Sequence, residues 1–281
     1  MMKNKNILII GSTGKLGTSL LNYCHNNNIK INTCTCFTNK KKLISQKKKF
    51  NFNFSYALSD KKQNSSFLNK IKINKYKLIY FLDYGSQSLK YLEILLKNNT
   101  ESTFALANKE MIIAGGKILI KKFKKTKNTL VPLDSEHFSI YNSLHNNSQN
   151  QIAKLYITAS GGPFYFKKNI NFNSVSLKDV INHPKWNMGI NNSIDSSNFL
   201  NKLLEMYEVS TLFNLDINKV DFLISPQAFI HSIIEFEDNT FQINCFENNM
   251  LITLIKPLSS LFKCQKLHIN KNKINVLKNF Y

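Results

Sequence analysis

Residues 6–17 read Asn6-Ile7-Leu8-Ile9-Ile10-Gly11-Ser12-Thr13-Gly14-Lys15-Leu16-Gly17, and the fold class follows from them. Residues 6–10 read as a strand, and their unbroken apolar run 7–10 has the pattern of one buried on both faces, as in a parallel sheet. Glycine then falls at 11, 14 and 17, and Leu16, Leu20 and Leu21 recur at helical spacing over 16–25. Strand, glycine turn and helix is the context in which such a loop binds a dinucleotide. Glycine lets the backbone turn tightly and approach a pyrophosphate, whose charge sits at the helix N-terminus. With only nine glycines in the chain, this placement is informative. The G-x-x-G-x-x-G spacing suits enzymes that use NADP.

Working outward, residues 29–37 are β-like and end in Cys36-Phe37-Thr38-Asn39-Lys40-Lys41-Lys42, without an acid. An Asp or Glu there would hold a ribose hydroxyl, whereas cations and donors suit a 2′-phosphate; the competing reading is one more surface Lys run. Residues 78–82 form a second buried strand. Residues 88–97 are helical, with Leu89, Leu92, Leu95 and Leu96 on one side, and 103–107 is a strand ending at Asn108-Lys109-Glu110. The alternation predicts an α/β chain whose residues 1–130 form a Rossmann-like doubly wound parallel sheet. The Lys-rich run 121–127 is read as a solvated face that precedes the boundary. Residues 131–281 are expected to form a second, α+β catalytic domain. It has a strand at 153–159, a helix at 197–213 and β-like runs in FLISP, FIHSIIEF and KLHIN.

The chain has 281 residues and is 43% hydrophobic, enough for two globular domains. Its net charge of +21 invites a nucleic-acid reading, but all 38 basic residues are Lys. Together with about 40 Asn and few Ala or Gly, this points to a bias toward A/T-rich codons. A nucleic-acid surface would recruit Arg for bidentate contacts, so nucleic acid is not an expected partner; phosphorylated small molecules fit the charge equally well. Five irregularly spaced cysteines read as free thiols in a reducing cytosol. No apolar run is long enough to span a bilayer or serve as a signal-peptide core, so a cytoplasmic protein without membrane partners is expected.

Asp134-Ser135-Glu136-His137 follows Pro132. In an extended segment Asp134 and Glu136 would point the same way and make half of a hard-cation site, the alternative being a solvated turn. Glu205 can supply a third carboxylate, because Asn201, Lys202 and Glu205 share one face of a helix. Ser160, ahead of Gly161-Gly162-Pro163, and Ser196, a candidate helix cap, could join Asn201 and Lys202 in a phosphate cradle. His183-Pro-Lys-Trp186-Asn-Met188-Gly189 holds the single Trp, on a lid that closes over substrate or in the core.

The stretches GSTGKLGTS, ALANKE, VPLDSEH, TASGGPF, HPKWNMG, IDSSNFLNKLLE and SPQAFIHS, in this order from residue 11 to about residue 232, resemble the 1-deoxy-D-xylulose 5-phosphate reductoisomerase family. The resemblance implies an NADPH-dependent oxidoreductase and isomerase of non-mevalonate isoprene biosynthesis. Such an enzyme converts 1-deoxy-D-xylulose 5-phosphate to 2-C-methyl-D-erythritol 4-phosphate with Mg²⁺ or Mn²⁺, Co²⁺ being a third candidate. The implied cofactor contacts are Thr13, Gly14, Lys15, Leu16, Thr38, Asn39, Asn108, Glu110 and Gly189, and the metal ligands Asp134, Glu136 and Glu205. Substrate contacts are Lys109, Ser135, Glu136, Ser160, His183, Ser196, Asn201, Lys202 and Glu205, of which Lys109, Glu136, His183 and Glu205 are catalytic. His137 and His231 fall on family histidines near the site, Trp186 and Met188 on the lid. A homodimer is implied. The chain departs from the family in lacking its C-terminal helical domain after Tyr281, in Leu203 and Ser225, and in the segment 83–90. These departures motivate an alternative: a decayed relative that binds NADPH without efficient catalysis.

Overall fold

The computed structural model describes residues 6–144, 151–165, 170–171, 174–181, 194 and 197–262. They divide into two compact units, residues 1–134 with 249–281, and residues 135–248.

The first unit is a six-stranded sheet in the order β3-β2-β1-β4-β5-β6, every pairing parallel. Its strands are β1 (Ile7–Ile10), β2 (Thr33–Cys36), β3 (Phe54–Ala57), β4 (Leu78–Phe81), β5 (Thr103–Leu106) and β6 (Thr129–Pro132). The helices between them are α1 (Lys15–Asn26), α2 (Lys40–Phe50), α3 (Lys61–Ile73), α4 (Leu89–Asn98) and α5 (Lys109–Lys124). The order reverses between β1 and β4, where Ile9 lies opposite Cys34 on one side and Tyr80 on the other. Every residue of β1 and β4 is buried, as a central strand covered on both faces demands.

The sequence reading missed α2 and α3. Each is mostly Lys, Asn, Ser and Gln and buries a narrow stripe, Leu43 and Gln46 in one, Phe67 and Ile71 in the other. Side-chain caps rather than an apolar face mark where they begin. Asn39 accepts from the Lys42 amide at 3.1 Å, and Asp60 from the Gln63 amide at 3.0 Å.

The second unit carries a four-stranded sheet, β10-β9-β7-β8, from β7 (Ile152–Ala159), β8 (Val220–Ile224), β9 (Ile230–Phe236) and β10 (Phe241–Cys245). β7 runs parallel to β8 and antiparallel to β9. Its helices are α6 (Ser135–Leu144), the short α7 (Leu177–Ile181) and α8 (Leu200–Phe213). Ile140 of α6 and Val209 and Phe213 of α8 pack with Leu155, Ile157, Val220 and Ile234 of the sheet. The run KLHIN lies outside the described residues.

The last described helix, α9 (Leu251–Phe262), packs on α1, β4 and β5 of the first unit. It buries Leu254, Ile255 and Leu258 there, and the Tyr80 hydroxyl donates to the Leu254 carbonyl at 2.7 Å. The chain thus returns to its first unit after residue 248, whereas the sequence reading kept 131–281 together. Among the described residues no helix is long and apolar enough to cross a membrane.

Candidate functional site

The glycine loop is built for close approach. Gly11 sits at φ +89°, and a Cβ there would stand 2.5 Å from the Asp83 amide nitrogen; at Gly17 it would stand 2.6 Å from the Gly11 carbonyl. The loop is tied to β2 by the Ser12 amide on the Thr35 carbonyl (2.8 Å), and Gln46 of α2 donates to the Ser12 carbonyl at 2.9 Å. Gly14 caps α1 without a side-chain acceptor, and the first turn holds no acid. The opening N–H groups of α1 therefore suit an external anion, and the residues fit a pyrophosphate. Thr13 is half-buried and Lys15 exposed. Past β2, Thr38, Asn39 and Lys40 to Lys42 are all exposed, with no acid among them. That fits a 2′-phosphate.

At the other side of the β1–β4 reversal stands a residue that the sequence reading passed over. Asp83 accepts from the Ser88 hydroxyl and, at 3.3 Å, from the Asn108 amide. Burial pushes its carboxyl up to about 6, against the lowering effect of those two donors. Asn108 also donates to the Gly85 carbonyl (3.0 Å) and caps α5 through the Met111 amide (3.0 Å), and the Gly85 amide donates to Glu110 (3.5 Å). The available signal was an acid one residue beyond the apolar run LIYFL.

Asp134, Glu136 and Glu205 each offer a carboxylate oxygen, all within 4.8 Å of one another, a donor set of the kind that holds a hard divalent cation. Asp134 closes the first unit and is joined directly to Ser135. The local geometry differs from the extended segment expected for 134–136. Residues 135–144 are helical, so Glu136 projects from the first turn of α6. An acid is favoured there by the helix dipole. Lys109, at the start of α5, holds its ammonium 2.7 Å from Asp134.

Glu205 lies on α8, 2% exposed. The face predicted for Asn201, Lys202 and Glu205 is present: the Asn201 amide donates to Glu205, and the Lys202 ammonium bridges Glu136 and Glu205, the latter at 2.7 Å. Lys202 thus stands between the half-buried Glu136 and the buried Glu205 and offsets their mutual repulsion. α8 begins at Leu200, with Phe199 in a left-handed conformation as its cap. The proposed cap Ser196 lies outside the described residues, as do His183, Trp186, Met188 and Gly189.

Among the residues named from the resemblance are two buried histidines, and beside one of them stands an acid, Glu208, that the sequence reading missed. His137 Nε2 donates to the Glu205 carbonyl at 3.2 Å and stands 3.2 Å from Glu208 Oε2, both side chains buried. His231 is also buried, with its ring stacked on Phe246 and Nε2 at 3.2 Å from the Phe246 carbonyl. Ser135 is buried and donates to Glu136. Ser160, half-buried at the end of β7, precedes two glycines at φ +92° and +74°.

The family model for the 1-deoxy-D-xylulose 5-phosphate reductoisomerase C-terminal domain matches residues 130–213, the stretch that carries all three acids. A 1-deoxy-D-xylulose 5-phosphate reductoisomerase of Pelagibacter ubique is 37% identical, over 90% of this chain and 70% of its own length. One of Clostridium novyi is 34% identical, over 84% and 66%. The chain thus spans about two thirds of the length of these relatives. A solved DOX-P reductoisomerase in complex with NADPH, fosmidomycin and magnesium superposes with a TM-score of 0.79 at 26% identity, covering 93% of this chain and 71% of that one. The Zymomonas mobilis enzyme in complex with NADPH gives 0.78 at 25%, covering 92% and 71%. Sheet order, glycine loop, acid cluster and these likenesses agree: the chain belongs to the 1-deoxy-D-xylulose 5-phosphate reductoisomerase family.

Proposed function

We propose that this chain rearranges the carbon skeleton of 1-deoxy-D-xylulose 5-phosphate and reduces the resulting aldehyde to 2-C-methyl-D-erythritol 4-phosphate, using NADPH and Mg²⁺ or Mn²⁺. The observation that carries the reading is the convergence of Asp134, Glu136 and Glu205 within 4.8 Å, in a chain of this family. When bound, the divalent ion supplies Lewis-acid polarisation of the substrate ketone, and NADPH supplies hydride.

The chain's own groups do the rest. Asp134, Glu136 and Glu205 hold the cation. Lys109, beside Asp134, brings positive charge to substrate oxygens as they become anionic. Ser160, Asn201 and Lys202 donate to the phosphate and hydroxyls, with Ser135, His183 and Ser196 as further contacts. Binding energy at the remote phosphate holds a small substrate in register. The loop Thr13–Leu16, with Thr38, Asn39, Asn108, Glu110 and Gly189, holds the dinucleotide. Alternate side chains of β10 leave Phe241 and Ile243 60% and 56% exposed, which supports a homodimer. A dimer buries such a face; light scattering on the purified chain tests it.

The deciding experiment follows NADPH consumption by the purified chain with substrate, with and without Mn²⁺. Metal-dependent turnover is expected. NADPH binding with no turnover under conditions that sustain a longer relative would overturn the reading.

A further inference from the structure

A carboxylate at the reversal of a doubly wound sheet needs a reason. Asp83 lies two residues past the end of β4 and against Gly11, so it stands where the strand order switches and where such folds bind a dinucleotide. The exposed Lys and Asn residues past β2 suit the adenosine half with its 2′-phosphate. The nicotinamide half then falls on the β4–β5 side, next to Asp83, Asn108 and Glu110.

Asp83 is only half-buried, and its two side-chain donors, Ser88 and Asn108, leave lone pairs to spare on a group that offers about four. Both donors are neutral, so its charge is not matched by a cation in this network; the nearest acid, Glu110, repels it. A pair of sugar hydroxyls is the complement such a group lacks: donors that carry no charge and need an acceptor.

We propose that Asp83 accepts a hydrogen bond from a hydroxyl of the nicotinamide-side ribose, while its bond to Asn108 fixes the 85–88 turn and the start of α5 against the cofactor. This rests on the dinucleotide reading above. It gives a role to the one segment, 83–90, that departs from the family pattern on the cofactor side.

The test compares two ligands on the full chain, NADPH and adenosine 2′,5′-bisphosphate, which lacks the nicotinamide-side ribose. Asp83→Asn keeps the shape of the side chain, and Asp83→Ala removes it. Loss of a charge-assisted hydrogen bond predicts NADPH binding weakened roughly tenfold to a hundredfold in both variants, with bisphosphate binding unchanged. For Asp83→Asn, which keeps an acceptor for Ser88 and Asn108, the unfolding midpoint at neutral pH should not fall, which keeps misfolding from imitating the result. Unchanged NADPH affinity overturns the inference, and so does equal weakening of both ligands, which marks a purely structural brace. If the unaltered chain binds neither ligand, the dinucleotide reading itself fails, an outcome distinct from the first two.

Discussion

Asp83 stabilises the fold least at the pH where its charge is most useful. Its carboxyl is raised to about 6 by burial, above the ordinary carboxylate value near 4. The folded chain therefore binds this proton more tightly than the unfolded chain does. The favourable contribution is complete below about pH 4 and is lost as pH rises through 6, a difference on the order of 3 kcal/mol. Asp83→Asn is expected to raise stability at pH 8 by about 1–3 kcal/mol and to have no effect near pH 4. Denaturant unfolding at the two pH values checks this. At Glu205, the proposed metal role rests on the charge itself. Glu205→Gln keeps the bond with Asn201 but removes one anionic ligand, so Mn²⁺ binding followed by electron paramagnetic resonance should weaken, and turnover should fall at least about a hundredfold. Glu208 is fully buried beside His137. Glu208→Ala leaves the imidazole facing a cavity and should cost about 3–5 kcal/mol, read from the shift of the denaturation midpoint.

Among the elements, α1 announces itself and α2 and α3 do not. Leu20, Leu21 and Cys24 of α1 are buried with Gly17 in a wide apolar stripe, whereas two residues of each of the Lys-rich helices α2 and α3 reach the interior. Period-based reading needs several apolar positions per helix, and a surface built from Lys hides a helix that has two. The same limit applied at 134–136. Alternating acids looked extended because nothing local signals that α6 starts at Ser135. Glu205 was legible because i, i+3 and i+4 positions share a helix face whatever the helix packs against, but that Lys202 would turn onto the acids was not. In α1, Gly17→Ala should be damaging although alanine is the better helix former by about 1 kcal/mol. Its Cβ would meet the Gly11 carbonyl and the Ser12 backbone at 2.6 Å, atoms that cannot move without unseating the loop. The expected outcome is a lower melting temperature and NADPH binding weakened at least about tenfold, both measured by ligand-dependent thermal shift.

For the whole molecule, the decisive feature is that the first unit is made of two separate pieces of chain. The α/β class and the parallel sheet were readable from strand–helix alternation. The return of α9 was not, since an amphipathic segment does not say which face it will cover. Leu254, Ile255 and Leu258 are buried on the first unit, so deleting residues 249–281 should expose the flank of α1, β4 and β5. The shortened chain is expected to melt earlier and to bind a dye for exposed apolar surface, and Tyr80→Phe alone should cost about 1 kcal/mol through the lost bond to Leu254. This arrangement has a consequence during synthesis. A ribosome finishes all six strands of the first sheet well before it reaches Leu251, and at typical elongation rates on the order of ten seconds separate the two. Throughout that interval the nascent sheet carries a bare greasy flank, which makes it a client for chaperones that shield emerging polypeptides.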